Sequence, residues 1–275
     1  MTERIDGGAA RSMQMGTTDV PASTYWETRA RRFAGDGRGL RAVCSYGMPA
    51  FYNGYIHLVQ ASALRPWLRV PAGLRVLEVG CGVGRWSRRL AASGARVTGI
   101  DLAPAMVAEA QRRALAEGVD NRCEFLQGDA ADLSFEQPFD LILCVTVLQH
   151  ILDAERMQDA LDRMRAHLAP GGRMVLLEAA PSSSDTRCDS SVFTARHERV
   201  FHEAFARAGL RCLAIRGVDP LPLKTRFLPF YTRVPRALAL LALAGIIAVS
   251  LPYDLLLGRR LPHRSWHKVF VLART

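Results

Sequence analysis

The stretch Arg75-Val76-Leu77-Glu78-Val79-Gly80-Cys81-Gly82-Val83-Gly84-Arg85-Trp86 decides the fold. A short apolar run ends in three glycines at alternate positions, and an amphipathic segment, Trp86-Ser-Arg-Arg-Leu90, follows at once. Apolar run, glycines and amphipathic segment read as strand, tight turn and helix. Glycine lets the chain turn sharply there and lets a ligand approach the main chain closely. A second apolar run, Val97-Thr-Gly-Ile-Asp101, begins soon afterwards and ends on an acid seventeen residues past Gly84.

Working outward, the same rhythm repeats. Apolar runs predict strands at Arg75–Val79, Arg96–Ile100, Cys123–Gln127, Leu141–Val145, Arg173–Glu178, Cys212–Gly217 and His267–Leu272. Helical spacing fills the gaps at Gly84–Ser93, Pro104–Glu117, Ala154–Leu168 and Ala195–Ala208. Pro104 suits the first helical position, and Gly94, Gly118 and Gly209 suit the residue just past a helix end. Strands alternating with helices predict an α/β fold, a seven-stranded, mostly parallel sheet covered on both faces. Before it, residues 21–70 read as a helical extension: Thr24-Tyr-Trp-Glu27 has the form of a capping box for a helix to Phe33, and Ala50–Leu68 is helical in spacing. Residues 1–20 show no periodicity and read as a loose arm. The main domain is then 71–275, with an insertion at 218–266 before the last strand.

The 275 residues are 49% hydrophobic and 23% charged, which excludes collagen-like and wholly disordered chains. The net charge of +10 is confined to one region: residues 207–275 hold twelve Lys/Arg against Asp219 and Asp254, while the rest of the chain is neutral. A basic surface spread over the whole molecule, as for nucleic-acid binding, is therefore disfavoured. The six cysteines show no CxxC spacing, so neither a zinc site nor a disulfide framework is expected. The first twenty residues carry no apolar core of a secretory signal, and a reduced, cytoplasmic protein is the expectation.

An acid ending the second strand can accept both hydroxyls of a ribose, a geometry used by two cofactor classes. Dinucleotide sites use GxGxxG. Here the order is ExGxGxG, from Glu78 to Gly84, with Arg85-Trp86 behind it. With Asp101-Leu102, Gly128-Asp129-Ala130, Phe139-Asp-Leu-Ile-Leu-Cys144-Val145, Leu148-Gln-His150-Ile and Leu168-Ala-Pro-Gly171-Gly172, the segment Leu74 to Leu210 resembles the class I S-adenosylmethionine (SAM)-dependent methyltransferases. That resemblance implies a Rossmann-like sheet and SAM as methyl donor, with no metal. It also implies that Glu78, Gly80, Cys81, Gly82 and Gly84 form the loop under the methionine part. Asp101 would hold the ribose, Leu102 flank the adenine, Asp129 and Ala130 receive its amino group, and Cys144 and Val145 line the methyl-donor cavity. Arg29, on a helix that folds over the cofactor in similar enzymes, would pair with the methionine carboxylate or lie in solvent. His150, just after the fourth strand, is either a general base or a packed histidine. The Asp/Asn-Pro-Pro-aromatic motif of nucleobase amino methylation is absent after the fourth strand, where Cys144-Val-Thr-Val-Leu stands.

Between the last two strands, Ala237–Tyr253 runs seventeen residues without charge, preceded by Arg226, Arg233 and Arg236 and followed by Arg259, Arg260 and Arg264. At 1.5 Å per residue it reaches about 25 Å, short of a bilayer core, and Pro252 should interrupt it. Two readings stand: a helical hairpin dipping into one leaflet, with peripheral contact through 226–264 at the inner face of the membrane, or a lid packed on the sheet edge and the N-terminal helices. Both imply a hydrophobic small-molecule or lipid acceptor, with oxygen ahead of carbon or nitrogen. A soluble natural-product methyltransferase and a non-catalytic SAM-binding module are the alternatives.

Overall fold

A computed structural model describes residues 21–183 and 187–275. The expected arm, 1–20, and the middle of the loop after the fifth strand lie outside the described residues. Strands β1 (Arg75–Val79), β2 (Arg96–Asp101), β3 (Cys123–Gln127), β4 (Phe139–Val145), β5 (Leu168–Ala179), β8 (Leu210–Gly217) and β9 (His267–Arg274) form one sheet in the order β3-β2-β1-β4-β5-β9-β8. β1 to β5 pair in parallel, and β9 runs antiparallel between β5 and β8. The predicted seven strands are all present. A two-stranded ribbon of β6 (Arg187–Ser190) and β7 (Phe193–Ala195) was not foreseen; it occupies residues read as loop and helix start.

The order explains where a ligand must go. The chain leaves β1 toward β2 and β3, then returns to place β4 on the other side of β1. Loops therefore diverge at the carboxyl ends of β1 and β4 and open a crevice there.

Alternate residues of each strand feed two cores. Val76, Val97, Leu141, Leu143, Val175 and Val271 face α3 (Ala50–Leu64), α4 (Arg85–Ala92) and α5 (Pro104–Ala116). Leu77, Val79, Ile142, Leu176 and Phe270 face α6 (Ala154–Ala166) and α7 (Glu198–Arg207). Strands buried on both sides are nearly continuous in apolar residues, as β1 and β4 are.

Two local expectations are corrected. Helix α1 (Ala22–Phe33) begins two residues before Thr24, with Pro21 ahead of it and no side-chain cap. Glu27 is drawn away from any capping box: its Oε2 accepts the Ala105 N–H at 2.9 Å, and its Oε1 pairs with Arg31 at 2.8 Å. A short helix α2 (Leu40–Val43) leads to α3, which stops at Leu64.

In the insertion, α8 (Leu223–Phe227) precedes α9 (Arg236–Leu257), a single helix that runs through Pro252 rather than a hairpin. Its 22 residues reach about 33 Å. The anchor that keeps it helical lies beyond the proline: Asp254 accepts the Tyr55 hydroxyl at 2.5 Å and the Leu221 N–H at 3.2 Å. Ala239, Leu243, Ser250 and Asp254 are its buried stripe. The opposite face is apolar and exposed, with Leu241 72% and Leu256 75% accessible. β8 and β9 pair within one sheet, so a helix that crossed a bilayer once between them would separate strands that are hydrogen-bonded.

Candidate active site

A cavity of about 360 Å³ opens at the carboxyl ends of β1, β2, β3 and β4. Its size suits a small-molecule site.

The glycine loop forms its floor. Gly80, Cys81 and Gly82 line it. Gly80 sits at φ +69°, and a Cβ there would run into Val147. Gly82 sits at φ +52°, where a Cβ would lie 2.5 Å from Val43 Cγ1. Gly84 lies outside the cavity and serves as the left-handed residue before α4, packed on Phe125 and Ala110. The Cys81 thiol is buried and burial raises its pKa well above the usual range, which suits packing and not redox chemistry.

Three carboxylates shape the walls. Glu78 is buried, and its Oε2 accepts the Ser87 N–H at 2.7 Å and the Ser87 hydroxyl, tying β1 to the first turn of α4. Burial pushes its pKa up to about 7, against the pull of those two donors. Asp101 sits at the β2 carboxyl end. Its Oδ2 accepts the Gly82 N–H at 2.8 Å and its Oδ1 the Ala103 N–H at 3.0 Å. The carboxylate thus braces the glycine loop while keeping lone pairs for a ligand, and removal from water raises its pKa. Leu102 lines the cavity beside it. Asp129 and Ala130 line the wall after β3. Asp129 is already engaged, capping its turn through the Ala131 N–H at 2.9 Å and pairing with Arg156 at 2.8 Å.

Two expected site residues are elsewhere. Strand alternation sends Val145 into the cavity and Cys144 to the opposite face, fully buried with its Sγ 3.8 Å from Glu178 Oε1. Arg29 does not line the cavity. Its guanidinium donates to the Arg41 carbonyl at 3.1 and 3.3 Å and the Cys44 carbonyl at 2.7 Å, so it clamps α1 to α2. Burial lowers its pKa, and the three bonds to carbonyls replace lost water.

His150 does face the cavity. Its Nδ1 lies 2.5 Å from the Val192 carbonyl, which can only accept, so that nitrogen carries the proton. Nε2 keeps the lone pair, 3.3 Å from the Gln149 amide nitrogen. Trp26 meets the ring edge-on at 4.8 Å and Phe193 at 5.8 Å. Burial lowers the His150 pKa to about 4, so the ring is neutral at pH 7.

The loop bearing His150 is held by residues that no motif marks. Buried Glu178, at the end of β5, accepts the N–H groups of Val147 at 3.0 Å, Leu148 at 3.0 Å and Gln149 at 3.1 Å. Arg196 donates to the carbonyls of Leu148, Ile151 and Leu152 at 2.9, 2.5 and 2.9 Å. Met106, Thr146, Val147 and Arg156 complete much of the lining and were not foreseen; Trp26, on the same helix as Arg29, joins them. The Thr146 φ of +57° is a local signal of strain that only the structure shows.

Comparison with known proteins agrees with this geometry. Residues 76–172 match the family model of a methyltransferase domain. A ubiquinone biosynthesis O-methyltransferase of Xylella fastidiosa is 44% identical over 111 residues, covering 38% of this chain and 42% of that protein. One of Pseudomonas syringae is 42% identical over 105 residues, covering 38% and 43%. The chain thus spans about two fifths of the length of these curated relatives. In fold, it resembles magnesium protoporphyrin IX methyltransferase from Synechocystis with bound S-adenosylhomocysteine (TM-score 0.59, 18% identity, covering 92% of this chain and 98% of that one). The CcbJ methyltransferase from Streptomyces caelestis is similar at TM-score 0.60 and 16% identity, covering 93% and 100%. The glycine loop, the acid closing β2 and the turn after β4 all fall inside the segment, residues 76–172, that matches the methyltransferase-domain model.

Proposed function

We propose that the protein transfers a methyl group from SAM to an oxygen of a hydrophobic small molecule. The observation that carries this reading is the convergence of the glycine loop and Asp101 on one cavity at the sheet's switch point, within the segment matched to a methyltransferase domain. The residues fit the donor: Asp101 retains acceptor lone pairs for a ribose, and Gly80 and Gly82, which carry no side chains, line the cavity beside it. Oxygen as acceptor and an apolar substrate are supported by the ubiquinone O-methyltransferases that match the central segment.

SAM, when bound, supplies a methyl group already activated by its sulfonium. The chain's part is to orient the acceptor and exclude water. Trp26 and Val147 supply apolar walls, and Asp101 fixes the donor's sugar. His150 accepts the acceptor's hydroxyl proton at Nε2, with the Val192 carbonyl holding the tautomer and Glu178 and Arg196 holding the loop. The Asp129–Arg156 pair closes the adenine end of the cavity.

The same reading places 226–264 on the inner face of the membrane. The exposed face of α9 is apolar, and arginines stand at both of its ends, the pattern of an interfacial helix whose flanks meet anionic headgroups. An apolar acceptor would be drawn from that surface.

Methyl-labelled SAM incubated with the protein and polyprenyl or simple catechols tests the assignment. Label in an ether product, with S-adenosylhomocysteine released, is expected. SAM binding with no transfer to any phenol, catechol or lipid extract would leave a binding module instead.

A further inference from the structure

A second cavity, of about 320 Å³, lies between α3, α4, α5 and the loop before α2, and shares Arg85 and Trp86 with the first. Five arginines line it against one carboxylate, Glu117. Two of the five have acidic partners. Arg113 pairs with Glu109 at 2.6 Å, and Arg88 Nε lies 3.0 Å from Glu117, though at an angle that makes no hydrogen bond. Arg38, Arg85 and Arg89 pair with no carboxylate among the described residues.

Arg85 Nη2 donates to Gln60 Oε1 at 2.7 Å and its Nη1 to Cys44 Sγ at 3.6 Å, neutral acceptors that leave its charge uncompensated, and a single histidine stands between it and Arg38. Arg38 Nη2 lies 3.0 Å from His57 Nε2, and Arg85 Nη1 lies 3.3 Å from His57 Nδ1. A neutral imidazole has one lone pair and one N–H, so it can accept from only one of them. Protonation would make matters worse, and burial together with Arg85, Arg38 and Arg89 holds the His57 pKa near 4. Guanidiniums without carboxylate partners, gathered around one cavity, call for a multivalent anionic acceptor.

We infer that this cavity is a second ligand site and binds a phosphate monoester or diphosphate group. Guanidinium forks match the oxygen spacing of a phosphate, and its three or more oxygens point toward donors arranged on several sides. Because Arg85 and Trp86 face both cavities, the site abuts the cofactor cavity without being part of it.

The test titrates the full chain with sodium diphosphate by calorimetry, alone and saturated with S-adenosylhomocysteine. Saturable binding in both forms is expected, weakened about tenfold or more in Arg38→Ala/Arg89→Ala. Both side chains are exposed, so the melting temperature of that variant should stay at the wild-type value. Vesicles containing phosphatidate form a second arm. Sedimentation lost in the same variant would assign the phosphate to a lipid headgroup, and diphosphate binding alone would assign it to a soluble ligand. The inference is overturned if no saturable binding occurs, if the variant binds diphosphate as tightly as wild type, or if S-adenosylhomocysteine abolishes binding, which would put the anion in the cofactor cavity.

Discussion

Gly80→Ala sets a methyl group against Val147 in a backbone region that alanine avoids. At φ +69° an L-residue costs about 1–2 kcal/mol relative to glycine. The new Cβ would run into Val147 Cγ2 and lie 3.2 Å from its Cγ1 and 3.3 Å from its Cβ, so the side chain cannot escape by a small rotation. Nor can the Val147 backbone yield easily, because its N–H is held by Glu178 at 3.0 Å. Overpacking of this kind costs about 1–3 kcal/mol. The total loss is then about 2–5 kcal/mol, and Val147 is pushed into the cavity it lines. Urea unfolding of wild type, Gly80→Ala, Val147→Ala and the double variant separates the two terms. Val147→Ala should return the packing part and leave the backbone part, about 1–2 kcal/mol. Gly80→Ala within about 0.5 kcal/mol of wild type, or a cycle with no coupling, would refute the close approach of the β1 and β4 loops.

Asp101→Ala should weaken S-adenosylhomocysteine binding about tenfold or more by calorimetry, and an unchanged Kd would deny the ribose role. His150→Phe should lower turnover about 100-fold with folding intact; in the wild type the acid limb of kcat/KM should fall near pH 4 and not near 6.5, and a near-normal rate would leave His150 a packing residue. Glu78 is held protonated in the fold to about pH 7, so its contribution to stability is full below pH 4.5 and declines as pH rises to about 7. Glu78→Gln keeps an acceptor for Ser87 and should gain on wild type across that window by up to about 3 kcal/mol; parallel stability curves would contradict the raised pKa. Leu241→Glu with Leu256→Glu should abolish sedimentation with anionic vesicles while leaving the melting temperature unchanged, since both side chains are exposed; persistent sedimentation would remove α9 from the membrane contact.

The sheet was legible because its strands are apolar runs set between stretches of helical spacing, and a local pattern suffices for that. The glycine loop and Asp101 were legible for the same reason: each is defined by its place at a strand's end. Cys144 was misplaced although the needed signal was present, since alternation in β4 cannot point both it and Val145 at one cavity. Arg29 and Glu27 were misread for a different reason. Their partners, Cys44 and Ala105, are fixed by how α1 packs on its neighbours, which no spacing within α1 encodes. Glu178 looked like the end of a core strand, and its service to three N–H groups thirty residues away is a tertiary fact. Pro252 predicted an interruption that the clasp of Asp254 on Tyr55 overrides.

Gly217 and Lys268 stand opposite each other in the β8–β9 register, at the two ends of the insertion. A tight turn of a few residues could join them with every strand left in place. The half of the molecule that holds the candidate site therefore owes nothing to α9 in its chain path, and the roughly fifty residues between those partners are an accessory spliced into a hairpin. Exchange of that accessory for another, or its loss, would leave Tyr55 without Lys224 and Asp254 and would strip Val218 and Leu243 from the core they share with β1 and α3.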